Sequence, residues 1–422
     1  MRELSLTQQE TLLELLVDGR NECALVTLIG WAEEQTVDED GNGSEALNHW
    51  DVSHAVPSLT SPTAADLDEI DSALWLQASA IQLVQCLEQR IVDGWPAHPQ
   101  VSCWKAVEGV EYWLLGKHAP PPTRNDRIVG TARWLKLLRV VPCRIGAHRV
   151  VLHPAEQPTN DRLKRRAGSH SGMIGHFEDG IEVSWSPLVP GFVAALGLSD
   201  GEARFDSAVR LLTAAEGCTF FVLPECTMPA SLRLRLANEI PACEVSPCLS
   251  VLGSFHDHAP SCNPPYQNRA ELHDYRGSVL FSVVKTARAS VRHPDNPNQQ
   301  LDEYISLRNE LHALVTDIGL VGVTICLDFS HPNGLCHASW SKLAPEWMLV
   351  PSMGANSTVD LQRGVAGQLA DTHRTVSLVA NQPPSGGGVM GFIRDRGLNG
   401  SSDWVAVAQT PNVTNCVRLL ST

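Results

Sequence analysis

The sequence predicts an α/β protein in two parts, an all-α N-terminal domain followed by a mixed sheet covered by helices. Three observations predict it. Up to about residue 140, apolar residues recur at helical spacing. From about residue 181, short apolar strands alternate with helical stretches, as in a sheet packed under helices. Three of those strands end on groups able to act together in thiol-based acyl chemistry: Glu225, Lys285 and Cys326.

The chain has 422 residues, enough for two domains with sizeable cores. Its 43% hydrophobic and 19% charged residues describe an ordinary globular protein. A net charge of -15 argues against nucleic acid as the main partner. No apolar run reaches membrane-spanning length, and the acids within MRELSLTQQETLLELLVDGR do not suit a signal peptide. Twelve cysteines without a CxxC pair, many inside apolar runs, read as reduced thiols of a cytoplasmic protein rather than a disulfide frame or a zinc site.

Residues 5–17 read as a short amphipathic helix with Leu12, Leu13, Leu16 and Val17 on one side, and Ala24 to Trp31 as its continuation in a helical hairpin. Residues 33–66, rich in Asp, Glu, Ser, Gly and Pro, read as loop. Helices are expected over 65–93, over 102–117 (Trp104, Val107, Val110, Trp113, Leu114) and over 126–140. Seven of the eleven tryptophans fall in this front part, where they read as core anchors. The polar and basic stretch EQPTNDRLKRRAGSHSG, at 156–172, marks the boundary. The expected division is therefore a helical domain over 1–165, a linker over 166–180 and a second domain over 181–422.

In the second part, IEVSW is a strand and 200–216 a helix stopped by Gly217. FFVLPE follows: four apolar residues ended by a proline that cannot donate to a ladder, with Glu225 at the strand's C-terminal edge. After a helix at 228–239 and the strand LSVLGSF come two hairpins. One turns at Asp274 to Gly277 and ends on Lys285; the other turns at Asp317 to Gly319 and ends on Cys326. Helices at 338–344 and 359–373 alternate with the strands WMLVPS and TVSLVAN. His256 and His258 in FHDH lack further spaced ligands, so no metal is expected there.

Three stretches in order give residues 181–422 a family resemblance: LPE at 223–225, Asn268 through Gly277 to Lys285, and GLVGVTICLDFSHP at 319–332. Together with Arg374, VANQ at 379–382 and the glycines at 386–388, they resemble the nitrilase superfamily of carbon–nitrogen hydrolases. The resemblance covers a little over half of the chain. It implies a nitrilase-like α-β-β-α sandwich and a Glu-Lys-Cys triad with no cofactor and no metal. Glu225 would be the base, Lys285 the oxyanion partner and Cys326 the nucleophile, with the N–H of Leu327 as a second oxyanion donor. An accessory glutamate is expected between lysine and cysteine at Glu303, with Glu310 as the fallback. His331 and Asn356 are assigned to the substrate pocket. His331-Pro332 stands where the family commonly has an aromatic-proline pair, and the usual glycine after the accessory glutamate is missing, so no branch's substrate transfers.

The implied activity is hydrolysis or acyl transfer on a small-molecule amide or nitrile through a thioester. Two features are expected from residue chemistry and family habit: a Cys326 poised as thiolate beside Lys285, and a homo-oligomer paired through 359–373 and the segment after Cys326. The alternative is a nitrilase-fold scaffold in a larger assembly, docking a protein partner through its N-terminal helices.

Overall fold

A computed structural model of the chain describes residues 6–35, 80–95, 101–106, 109–116, 137–166, 170–177, 183–292, 299–330, 336–383, 391–394, 404–405 and 416–419. The chain divides into two units, Met1–Arg144 and Ile145–Thr422. No helix among the described residues is long and apolar enough to cross a membrane.

The first unit holds helices α1 (Leu6–Val17), α2 (Asn21–Gln35) and α3 (Ala80–Asp93). It also holds strands β1 (Val101–Lys105), β2 (Glu111–Gly116) and β3 (Leu138–Pro142), which form an antiparallel sheet in that order. The all-α expectation is therefore corrected. Within EYWLLG the burial alternates, with Tyr112 and Leu114 inside and Glu111 outside, which is a strand period. Val110 lies in the turn before β2, which Gly109 makes at φ 91°. The helical spacing of Trp104, Val110 and Trp113 was thus a coincidence across two short strands. Leu12, Leu15, Leu25 and Ile29 of the helices pack with Leu87, Tyr112 and Leu114 in one core. The predicted helix start at 65–79 lies outside the described residues.

The second unit begins earlier than the boundary read from the sequence. Strands β4 (Arg144–Ile145) and β5 (His148–Pro154) precede helix α4 (Gln157–Lys164) and strand β6 (Gly172–Gly175). Strands β7 (Val183–Val189) and β8 (Phe192–Leu198), helix α5 (Gly201–Ala214), strand β9 (Phe220–Leu223) and helix α6 (Ala230–Glu239) follow. Then come β10 (Leu249–His258), β11 (Tyr266–Asp274), β12 (Val279–Val284), β13 (Ser290–Arg292), β14 (Gln300–Glu303), β15 (Glu310–Thr316) and β16 (Gly319–Val323). Helices α7 (Leu327–Ser330) and α8 (Cys336–Leu343), strand β17 (Trp347–Ser352), helix α9 (Asn356–His373) and strands β18 (Val376–Asn381), β19 (Gly391–Arg394), β20 (Trp404–Val405) and β21 (Cys416–Leu419) complete it.

These strands build a six-stranded sheet (β12-β11-β10-β9-β6-β21), an eight-stranded sheet (β20-β19-β18-β17-β16-β15-β5-β4) and a side sheet (β13-β14-β8-β7). The period of two along β9 explains how they stack. Phe220 and Val222 face the eight-stranded sheet and meet Leu314, Val323, Leu349 and Leu378. Phe221 and Leu223 face the other way, into a layer with Leu211 and Leu212 of α5 and Leu232 and Leu236 of α6. Helix α9 packs on β18 and β19. The order of layers is helix, sheet, sheet, helix.

The segment read as a linker contains β6, a strand paired on both sides, with β9 and β21. Its glycines are packing positions: a Cβ on Gly172 would stand 2.4 Å from Leu378, and one on Gly175 3.0 Å from Leu223. A stretch rich in glycine and basic residues looks like a linker until its contacts are known. Strand β5 likewise runs parallel to β15 inside the eight-stranded sheet. Both predicted hairpins are present, β11–β12 with Leu272 opposite Phe281 and β15–β16 with Thr316 opposite Gly319.

Where β5 and β15 meet, His153 Nε2 and His312 Nδ1 lie 3.0 Å apart, and the His153 ring stacks on Phe281. Burial, then the neighbouring His312, lower the His153 pKa to about 4. An unfolded histidine takes its proton near pH 6.5. The folded chain therefore binds fewer protons than the unfolded one between these values, and stability is full above that window and lost as pH falls through it. Melting temperatures from pH 7 to pH 4 are expected to fall less steeply in His153→Gln than in the parent; parallel acid limbs would refute this.

Candidate active site

Strand β9 stops at Pro224, and Glu225 turns back so that its N–H donates to Ser352 O at the end of β17, 3.2 Å away. Cys226 takes the left-handed conformation, at φ 55°. Gly253 sits at an irregularity in β10 with φ 79°, and a Cβ there would meet Pro224 O at 2.6 Å. Only a glycine lets the Pro224-Glu225 turn lie against this strand.

Lys285 follows β12 directly. Its N–H donates to Asn268 O, and its ammonium donates to Glu225 Oε1 and to Glu303 Oε2, each at 2.8 Å. Glu303 arrives from the end of β14 in the side sheet. Its Oε2 also accepts from the N–H of Ala289 at 2.7 Å. Asn268 Nδ2 donates to Glu225 Oε1 at 2.7 Å. His256 Nδ1 accepts the N–H of Ala195 at 3.0 Å, which leaves Nε2 to donate to Glu303 Oε1 at 3.0 Å. Glu225, Lys285, Glu303, Asn268 and His256 are all buried.

Cys326 follows β16 at φ 50°, its N–H donating to Pro351 O at 2.9 Å. Its Sγ lies 3.8 Å from Met353 O and accepts from Ser352 Oγ at 3.4 Å. The N–H of Met353 donates to Glu225 Oε2 at 3.0 Å. One backbone residue thus touches both the thiol and the carboxylate. Among the described residues no hydrogen bond joins Sγ directly to Glu225 or Lys285; the link runs through Met353 and Ser352. Gln362 of α9 donates to Ser352 Oγ at 2.9 Å and to Cys326 O at 3.3 Å, fixing the turn. Leu327 opens α7, so its N–H is a first-turn donor without a partner in the helix. Asp328 accepts the N–H groups of Thr286 and Ala287, at 2.7 and 2.8 Å, and so ties the loop after Lys285 to the loop after Cys326.

The charges decide the resting state. Burial works against the Lys285 ammonium, but Glu225 and Glu303 outweigh it and hold its pKa well above the ordinary lysine value. Burial also opposes ionisation of Glu303, and Lys285 overrides it with help from His256, keeping this carboxyl well below its usual range. Two carboxylates facing one ammonium leave the cluster negative. Burial first, and Glu225 second, therefore push the Cys326 thiol up against the pull of Lys285. The expectation of a resting thiolate is corrected: the thiol is neutral until a base takes its proton. Burial pushes the Asp328 carboxyl up to about 7, against Lys285 and its two N–H donors.

Of the residues read from the sequence, Glu225, Lys285 and Glu303 are brought into contact, with Cys326 and Leu327 beside them. The fallback Glu310 lies elsewhere, paired with Arg149 at 3.7 Å and His312 at 3.4 Å. Asn356 begins α9 and is exposed, and His331 lies outside the described residues. His256 orients Glu303 rather than joining His258 in a metal site. Sequence reasoning missed the parts played by Asn268, Ser352, Met353 and Gln362. The signal for two of them was present in WMLVPSM, a strand ending beside proline as the Glu225 strand does.

No protein-family model and no curated protein matches the chain. Among solved structures, an amidase from Nesterenkonia sp. is similar at 17% identity over 60% of this chain and 90% of that one, with a TM-score of 0.39. Saccharomyces cerevisiae Nit3, described as a member of branch 10 of the nitrilase superfamily, is similar at 14% identity over 60% and 90%, with a TM-score of 0.42. A carbon–nitrogen hydrolase from Helicobacter pylori G27 is similar at 14% identity over 56% and 86%, with a TM-score of 0.38.

Proposed function

We propose that the second unit is a nitrilase-superfamily domain that cleaves a non-peptide carbon–nitrogen bond of a small amide or nitrile by thiol catalysis. The observation that carries this reading is the buried lysine clamped between Glu225 and Glu303 beside a thiol on a strained strand-end turn. Such a costly arrangement of buried charges is characteristic of a working site.

Each group has a role that follows from its bonds. Glu225 Oε1 accepts from both Lys285 and Asn268, whereas Oε2 accepts only from the N–H of Met353, so Oε2 has the lone pair that takes the thiol proton. As that proton leaves, Sγ bonds to the carbonyl carbon and the carbonyl π electrons move to oxygen. Lys285 spends two of its three donors on carboxylates and directs the third at the developing oxyanion, with the N–H of Leu327 as partner. Glu225 then returns the proton to the leaving amine, giving ammonia or an amine and a Cys326 thioester. Water, deprotonated by Glu225, cleaves the thioester to the acid and the free thiol. Glu303 and His256 hold Lys285 in place and do not touch substrate.

A panel of aliphatic and aromatic amides and nitriles, assayed for ammonia release, tests the proposal with Cys326→Ala as control. Release from none of them, or equal release by the variant, would sink it. Glu303→Gln is expected to lower turnover and melting temperature together, because it removes a buried charge from Lys285. Glu310→Gln is expected to change stability by under about 0.5 kcal/mol, as a partly exposed pair does. Equal effects of the two would show that the lysine does not depend on Glu303.

A further inference from the structure

The small sheet of the first unit carries a second cluster of reactive side chains, unrelated to the acyl chemistry proposed above. Along β2, Tyr112 and Leu114 turn into the helical core, so Glu111 and Trp113 turn to the opposite face. Cys103 pairs with Trp113 in the β1–β2 register and shares that face. Cys143, one residue past β3, donates its N–H to Glu111 O at 2.8 Å and lies beside Glu111. The two thiols are 3.4 Å apart, and one ligand atom from each of Cys103, Glu111 and Cys143 lies within 4.8 Å of the others.

We infer that Cys103, Glu111 and Cys143 form a binding site for a thiophilic divalent cation, zinc above all. Cysteine is among the most buried residue types, and two thiols converging on the outer face of a sheet, one of them exposed, need a reason. Zinc–sulfur bonds of about 2.3 Å at tetrahedral angles put two thiolates roughly 3.8 Å apart, close to the separation seen here. A disulfide fits less well. The two cysteines come from the outer strands with β2 between them, and neighbouring strands are about 4.8 Å apart. Two such spacings together exceed the roughly 4.4–6.8 Å Cα separation that a disulfide takes. Two soft thiolates and one carboxylate select zinc over magnesium or calcium. Three protein ligands leave a fourth position for water or another group. Since one ligand comes from each strand region, the ion would staple all three strands of this sheet.

The test uses the full chain, stripped with a chelator and titrated with Co²⁺. One equivalent is expected to bind with a thiolate-to-cobalt charge-transfer band that Zn²⁺ abolishes. Cys326→Ser is expected to keep the band, and the Cys103→Ser/Cys143→Ser pair to lose it. In the unmutated chain, Zn²⁺ is expected to protect Cys103 and Cys143 from a thiol alkylator, read by peptide mapping, which needs no variant to fold. No band in the unmutated chain, a band that survives loss of both cysteines, or alkylation of both at the same rate with and without Zn²⁺ each overturns the assignment. So does a disulfide between them that forms in preference to metal uptake.

Discussion

Cys326→Ala is expected to abolish turnover while leaving the fold in place. The side chain is small and buried just past the end of β16, and the hydrogen bonds of its thiol are long, to Ser352 Oγ at 3.4 Å and Met353 O at 3.8 Å. Removing it costs little packing. The catalytic loss is large because no other group can form the thioester. Loss of a covalent nucleophile from a preorganised set costs about 10⁶ in rate. Single-turnover assays with the best amide or nitrile of the panel, beside a thermal melt, measure both. A variant keeping more than about a thousandth of the parent rate would mean that another group attacks, since binding and oxyanion stabilisation alone leave far less than that. Because burial and Glu225 keep the thiol neutral, the parent's labelling by a small alkylator should accelerate as pH rises, with no plateau near neutrality.

Lys285→Met carries the largest expected effect on stability. The lysine is fully buried and pairs with two carboxylates, each 2.8 Å away. Removing it leaves Glu225 and Glu303 facing each other without a cation. Breaking a buried ion pair from one side costs about 3–5 kcal/mol. Part of this should return when a proton neutralises one carboxylate, so the variant should regain stability as pH falls, before general acid unfolding. The double variant Lys285→Met/Glu303→Gln should recover part of the loss at neutral pH for the same reason. Denaturant unfolding of parent, single and double variants gives the three values. A single variant as stable as the parent would mean that water already screens the carboxylates, and the site would not be the dry, charged cluster described. Activity should fall with Lys285→Met by the scale of a lost oxyanion donor, about 10²–10³.

What the sequence by itself determined lies along strands. FFVLPE runs four apolar residues into Pro224, while FSVVKT and VGVTIC are apolar runs broken by Ser282 and Thr324, and period and punctuation suffice to place Glu225, Lys285 and Cys326 at or just past strand ends. The two hairpin turns were legible for the same reason: Asp274 and Gly277 meet across one turn, and Gly319 closes the other.

What required the tertiary structure depends on contacts between residues far apart in the chain. Cys103 and Cys143 are 40 residues apart and meet only because β2 lies between β1 and β3, so no local ligand spacing could announce them. Gly172 and Gly175 look like a linker because a glycine's neighbours are invisible in sequence; Leu378, Leu223 and Leu211 make them core. Residues 101–116 carry apolar side chains at intervals that suit either period, and the helices beneath decide for strands by burying Tyr112 and Leu114. Glu303 and Glu310 are equally acidic in sequence, and only the pairing of β14 with β8 brings Glu303 to Lys285. The protonation of Cys326 was read wrongly from its neighbours alone. A positive group nearby lowers a thiol's pKa, but burial and then Glu225 outweigh it, and burial is a property of the whole fold.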